Sequence, residues 1–165
     1  MKSVPMSSPE ITEEDRQAVM EVLETRYLSM GPKIEAFENA VKEVTNSKFA
    51  LAVSSGTTGL HLCVRAADIQ QGDLVITTPF SFISSTNVIL FEKAIPVFVD
   101  IDPLTGNLDV EQVAQAVHDL QIGGESAKKW LPRKGYDKVG KLKAILSVDV
   151  FGQPAAYDEL IKICK

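Results

Sequence analysis

The stretch Ala50-Leu51-Ala52-Val53-Ser54-Ser55-Gly56-Thr57-Thr58-Gly59-Leu60-His61-Leu62 decides how this chain is read. A short apolar run, Phe49 to Val53, gives way to a Ser/Gly/Thr turn that opens an apolar helix. Glycines at 56 and 59 let a backbone approach an oxyanion closely. The first helical amides point outward without intrahelical partners, and the Ser and Thr hydroxyls add donors. The turn lacks the Gly-Lys-Ser/Thr ending of a Walker A loop and the G-x-G-x-x-G spacing of a dinucleotide fingerprint. Two readings stand for it, a plain strand-to-helix connection and a phosphate cradle.

Upstream of the turn the pattern is helical. Thr12 with Asp15 three residues on resembles a capping box, and Val19, Val22 and Leu23 give an apolar stripe on a helix expected to end near Tyr27. After Ser29-Met30-Gly31-Pro32, Pro32 suits the first position of a second helix whose Ile34, Phe37, Val41 and Val44 share a face. Downstream, β-rich runs at Leu74 to Thr77, Ile95 to Val99 and Ala144 to Val150 alternate with helical patterns such as Val110, Val113 and Val117. The rhythm predicts an α/β fold whose mainly parallel sheet has helices on both faces, with ligands bound beyond the carboxyl ends of the strands. The expected organisation is a helical segment over 1–48 followed by the α/β part over 49–165.

Residues 121–143 break the rhythm. They carry Gly123-Gly124, the lone Trp130, and seven basic residues (Lys128, Lys129, Arg133, Lys134, Lys138, Lys141 and Lys143) against two acidic ones, and read as a basic loop insertion. Such a run serves either as a solvated surface or as a set of contacts to the phosphates or base of a nucleotide-linked ligand.

With 165 residues and 45% hydrophobic content the chain can bury a real core, which excludes a disordered protein. A net charge of -5 points away from nucleic acid and toward small-molecule partners. No apolar run is long enough to span a bilayer, and the polar start Met1 to Pro5 is unlike a signal peptide, so the cytoplasm is the expected compartment and no membrane is a partner. Cys63 and Cys164 make no disulfide framework, suit a reducing cytosol and read as small buried hydrophobes. Asp100 and Asp102 read as turn and cap residues beside Pro103 and Thr105-Gly106-Asn107, and His118 as a surface residue. No metal-ligand spacing is present.

Several segments, in order, resemble the N-terminal portion of the DegT/DnrJ/EryC1/StrS family of pyridoxal-phosphate-dependent sugar aminotransferases. They are Met30-Gly31-Pro32 with Phe37-Glu38, Ser55 to His61, Gly72 to Ile76, Thr78-Pro79-Phe80-Ser81-Phe82, Pro96 to Asp102, and Val148-Asp149-Val150-Phe151-Gly152-Gln153-Pro154. The resemblance implies an aspartate-aminotransferase-like (fold type I) large domain, incomplete here, with 49–165 as its first part and the small C-terminal domain absent. It implies that Gly56, Thr57 and Thr58 hold the phosphate of pyridoxal 5'-phosphate and that Phe82 lies against the pyridine ring, where a flat apolar face sets the ring's tilt. Ser81, Asp149 and Gln153 are implied as pocket neighbours, and His61 as packing with one hydrogen bond. The family usually has Ala where Thr58 and Gly59 stand.

The resemblance further implies a homodimer that moves an amino group from an amino acid, typically glutamate, to a nucleotide-linked keto-sugar in amino-sugar and polysaccharide biosynthesis. The Schiff-base lysine and the aspartate that protonates the ring are expected beyond Lys165, so no catalytic residue is assigned within this chain. The helical pattern from Tyr157 ends at Lys165 without a glycine cap or a following strand, as expected of a fragment that is inactive alone. Two alternatives remain open. One is a sugar dehydratase on the same scaffold with the same cofactor, and the other is a non-catalytic truncated remnant.

Overall fold

The computed structural model describes residues 4–5 and 7–165. Met1 to Ser3, which make up most of the polar start read above, lie outside the described residues. The chain divides into two compact units, Met1–Ala52 and Val53–Lys165.

In the first unit, helix α1 spans Glu13–Leu23 and α2 spans Pro32–Thr45. Thr12 caps α1 reciprocally with Asp15, and Pro32 occupies the start of α2, as their sequence signals predict. The α1 stripe ends at Leu23 rather than near Tyr27, because Thr25 turns its hydroxyl back onto the Val22 carbonyl at 2.8 Å and closes the helix. Gly31 lets the chain pass the Tyr27 side chain, which a Cβ there would meet at 2.9 Å. The apolar stripes stay largely uncovered within the unit: Val19, Leu23, Phe37 and Val44 are all exposed.

The second unit is built on three parallel strands, β1 (Leu74–Thr77), β2 (Ile95–Phe98) and β3 (Leu142–Ile145), in the order β2-β1-β3. Between and around them run α3 (Gly56–Ala66), α4 (Ser84–Phe91), α5 (Val110–Ile122), α6 (Gly124–Lys128) and α7 (Tyr157–Ile163). Successive residues of a strand face opposite sides. Leu74 and Ile76 accordingly pack with Val113 and Ala116 of α5 and Leu160 of α7, whereas Val75 packs with Val64 of α3 and Val88 and Ile89 of α4. The sheet is thus covered on both faces, the partial fold type I α/β arrangement, and β1 pairs in parallel with both neighbours.

Four sequence expectations are corrected. Phe49 to Val53 forms no strand, because none of the described strands offers it a ladder, and Phe49 and Leu51 remain exposed. The fourth apolar run starts earlier and stops earlier than Ala144 to Val150, since β1 ends at Thr77 and leaves nothing to pair beyond the Leu146 amide on the Ile76 carbonyl. Cys63 and Cys164 are both exposed rather than buried: Leu60 and Val64 take the inward stripe of α3 and leave Cys63 on its outer side, and Cys164 lies past the end of α7. The stretch 121–143 is not all loop, because it contains the end of α5, all of α6 and the start of β3.

Two devices pin that stretch. Asp119, buried on α5, accepts from Trp130 Nε1 at 2.9 Å, Lys129 Nζ at 2.7 Å and Gln115 Nε2 at 2.9 Å, and Trp130 packs against the core. Further on, the chain crosses Gly72 so closely that a Cβ at Gly72 would lie 2.8 Å from the Lys138 carbonyl, and one at Gly140 would lie 2.9 Å from the Gly72 carbonyl. Gly72 also takes φ +87, which favours glycine.

Two outcomes test this packing. Lys129 and the Trp130 indole hold the Asp119 carboxyl well below the usual carboxylate range. The folded state then binds this proton less readily than the unfolded chain, so the tether is fully present above the unfolded pKa of about 4 and weakens as pH falls below it. Emission from Trp130, the chain's one tryptophan, should stay constant down to that pH and shift red only beneath it, and Asp119→Asn should abolish the shift. Thr77 is wholly buried and its hydroxyl has no partner among the described residues. Thr77→Val should therefore raise unfolding stability by about 1 kcal/mol, read as a higher urea midpoint at unchanged slope.

Candidate functional site

Three helix starts are filled in different ways. The first turn of α1 is closed by the Asp15 carboxylate and that of α5 by Asp109, whose Oδ1 accepts from the Glu111 and Gln112 amides at 2.9 and 3.1 Å. The α3 start carries no acidic side chain. Ser55 caps it with a hydroxyl, accepting from the Thr58 amide at 3.1 Å, while the Ser55 carbonyl takes the Gly59 amide at 3.1 Å. The Gly56 and Thr57 amides have no protein acceptor among the described residues, and a Cβ placed on Gly56 would meet no atom within 4 Å. Two unpaired donors and a positive dipole end therefore share this helix start, the electrostatic setting an anion requires. The Thr58 hydroxyl is engaged with Ser55 Oγ at 3.0 Å and Ser54 Oγ at 3.4 Å, whereas no hydrogen bond engages that of Thr57 among the described residues.

One turn along α3 from Thr57, Leu60 lines a cavity of about 540 Å³ at the carboxyl edge of the sheet. Its walls come from the segments that leave β1 and β3: Phe80, Ser81 and Phe82 on one side, Asp149, Val150 and Phe151 on the other. Phe82 is 76% exposed, so its ring is free to meet a ligand. The Ser81 hydroxyl bonds Ser85 Oγ at 2.7 Å and ties the start of α4 to the wall. Asp149 Oδ1 accepts from the Ala155 amide at 2.9 Å and Tyr157 Oη at 2.8 Å, which leaves Oδ2 for solvent or ligand. Across the helix pair, His61 and Glu92 share a hydrogen bond of 2.6 Å and join α3 to the end of α4.

The fold thus brings Ser81, Phe82 and Asp149 to one cavity and puts Gly56, Thr57 and Thr58 one turn before its Leu60 wall. Gln153 is exposed, does not line the cavity and contributes main-chain bonds instead. Asn107 is the residue that sequence reasoning passed over as part of a turn. Its side chain is buried and bonds the 150–154 segment, and no local signal announces a partner so distant in sequence. The basic stretch leads into the amino end of β3, so it borders the opposite edge of the sheet. There a separate cavity of about 610 Å³ is lined by Lys93, Tyr136 and Lys138.

Comparison with known proteins places this geometry. The sequence model of the DegT/DnrJ/EryC1/StrS aminotransferase family matches residues 9–165. GDP-perosamine synthase of Escherichia coli O157:H7 is 30% identical over 166 residues, covering 100% of this chain and 40% of that protein. The structure of Helicobacter pylori PseC, an aminotransferase involved in the biosynthesis of pseudoaminic acid, superposes with a TM-score of 0.76 at 29% identity, over 99% of this chain and 38% of PseC. The E. coli GDP-4-keto-6-deoxy-D-mannose-3-dehydratase, solved with bound hydrated pyridoxal phosphate, superposes with a TM-score of 0.78 at 26% identity, over 99% of this chain and 38% of the enzyme. The chain spans about two fifths of the length of these relatives. On the family match and on the fold it shares with these structures, the chain belongs to the DegT/DnrJ/EryC1/StrS aminotransferase family.

Proposed function

We propose that this chain forms the phosphate- and ring-binding part of a pyridoxal-phosphate-dependent aminotransferase that moves an amino group from an amino acid, typically glutamate, to a nucleotide-linked keto-sugar for polysaccharide biosynthesis. The observation that carries the reading is the acid-free start of α3, with the Gly56 and Thr57 amides unpaired among the described residues and room beside the Gly56 α-carbon, one turn from the cavity that Phe82 lines. The residues fit the cofactor: an anion cradle adjoins a flat aromatic face, the two features a phosphorylated pyridine needs. When bound, pyridoxal phosphate supplies the electron sink for the transfer.

The chain's own residues bind and orient. The Gly56 and Thr57 amides, with the Thr57 hydroxyl, take the phosphate, and Thr58 braces the turn through Ser55 and adds its hydroxyl. Phe82 covers one ring face and fixes its tilt, while Ser81 and Asp149 border the substrate side and Gln153, outside the cavity, supports the turn through its main chain. The aminotransferase relatives favour amino transfer, and the dehydratase neighbour favours a second reading, sugar dehydration with the same cofactor. The uncovered apolar stripes of α1 and α2 support a homodimer, and the lack of a disulfide supports a cytoplasmic setting; no helix among the described residues is long and apolar enough to cross a membrane.

Three measurements test this. Gly56→Val puts a branched side chain into open space, so the fold should persist while pyridoxal phosphate is lost on dialysis; a variant that retains cofactor like the unmutated protein contradicts the cradle. Phe82→Ala should cost about 1 to 3 kcal/mol of cofactor affinity, measured by absorbance titration. Borohydride reduction of the full-length gene product with pyridoxal phosphate, followed by peptide mass spectrometry, should place no stoichiometric adduct on any lysine up to Lys165. A single full adduct there overturns the assignment of the Schiff-base lysine to a later segment.

A further inference from the structure

Asn107 is 3% exposed and its side chain is fully committed to one distant turn. Its Oδ1 accepts from the Val150 amide at 3.1 Å, and its Nδ2 donates to the Gln153 carbonyl at 2.9 Å and the Pro154 carbonyl at 3.0 Å, across 43 to 47 residues of sequence. Asn107 is itself held, since its carbonyl accepts from the Asp102 amide at 2.9 Å. The turn it grips is a single 3-10 turn over Val150–Gly152, in which Phe151 takes φ 54 and ψ 23. A residue with a Cβ disfavours that left-handed conformation, and an aromatic one doubly so when its ring is 95% exposed, as Phe151 is. The turn therefore needs an external hold. On its far side Asp149 supplies a second through the Ala155 amide and Tyr157 Oη.

We propose that Asn107 is the positioning residue of the carboxyl-edge cavity: it imposes the left-handed turn that makes Asp149, Val150 and Phe151 one wall, and ligand affinity there depends on it. The inference rests on the reading of that cavity as the cofactor and substrate site. All three hydrogen bonds of the side chain go to main-chain atoms of this turn, as a positioning role requires. Its chemistry is also specific. Aspartate would keep the acceptor but lose both donors and bury a charge, serine is too short to span acceptor and donors together, and glutamine adds a methylene in a filled space.

The test uses the full-length gene product as Asn107→Ser, with Leu104→Ala in the same turn, a side chain 93% exposed, as control. Hydrogen exchange should show the Val150 and Gln153 amides losing about tenfold or more in protection while the Val75, Ile76 and Val97 amides keep theirs. Affinity for pyridoxal 5'-phosphate should fall about tenfold. Leu104→Ala should move neither readout. Unchanged exchange in the turn overturns the proposal, as does a loosened turn with undiminished affinity. If Asn107→Ser does not fold, Phe151→Gly in the same chain decides: glycine accepts the left-handed conformation freely, so the double variant should recover folding, and a double variant that stays unfolded overturns the proposal. Failure of the unmutated protein to bind pyridoxal phosphate sinks the reading of the cavity, whereas unaltered exchange sinks the role of Asn107 even when cofactor binds.

Discussion

Everything at the carboxyl edge depends on the burial of four residues, Leu74 to Thr77, on both faces at once. β1 is flanked by parallel neighbours, and its side chains enter two separate cores, so it can neither slip by one residue nor rotate without driving apolar groups from one core into the other. Parallelism then determines where the polar chemistry lies. The segments leaving β1, β2 and β3 emerge on one side, which is why Phe82, Asp102 and Asp149, far apart in sequence, share an edge. An antiparallel sheet would have distributed them over two edges.

The edge is organised by neutral amides and hydroxyls rather than by ion pairs. Asn107 binds main chain with an uncharged group, which in a buried position avoids the desolvation cost of a carboxylate or ammonium. Ser55 does the same at the α3 start, where a carboxylate cap like Asp15 or Asp109 would repel an incoming anion. Apart from the Asp149 carboxylate, which accepts from a neutral amide and a hydroxyl, charge pairing lies away from the cavity, as in the Asp119 cluster with Lys129. An acid-free first turn thus distinguishes the α3 start from those of α1 and α5, where the Asp15 and Asp109 carboxylates bond main-chain amides.

Much of this was legible in the sequence for local reasons. Capping at Thr12 and Pro32 at a helix start are governed by neighbours three or four residues away, and the apolar runs at Leu74 and Ile95 announce buried strands by composition alone. The Ser/Gly/Thr turn is legible the same way, whereas Phe82 stands out only through the family resemblance, which adds roles that spacing does not supply. What escaped was decided elsewhere in the chain. Phe49 to Val53 has the composition of a strand, but a strand exists only with a partner, and Cys63 lies outward because its helical neighbours claimed the core. Asn107 looked like an ordinary turn residue because its three partners lie beyond any sequence window.

The close crossing of Gly72 and Gly140 has a consequence for how this protein can change. With the Trp130 contact fixed on Asp119 at one end and the glycine crossing fixed at the other, the intervening residues form a loop closed independently of its contents. The entropy of closing such a loop grows only with the logarithm of its length. Residues can be added, removed or recharged between the two anchors at little cost to the sheet, and the carboxyl edge is shielded from the change by the full length of the strands. The segment is an open port for sequence drift and for grafting, whereas the turn beneath Asn107, held by three hydrogen bonds from one side chain, is closed to both.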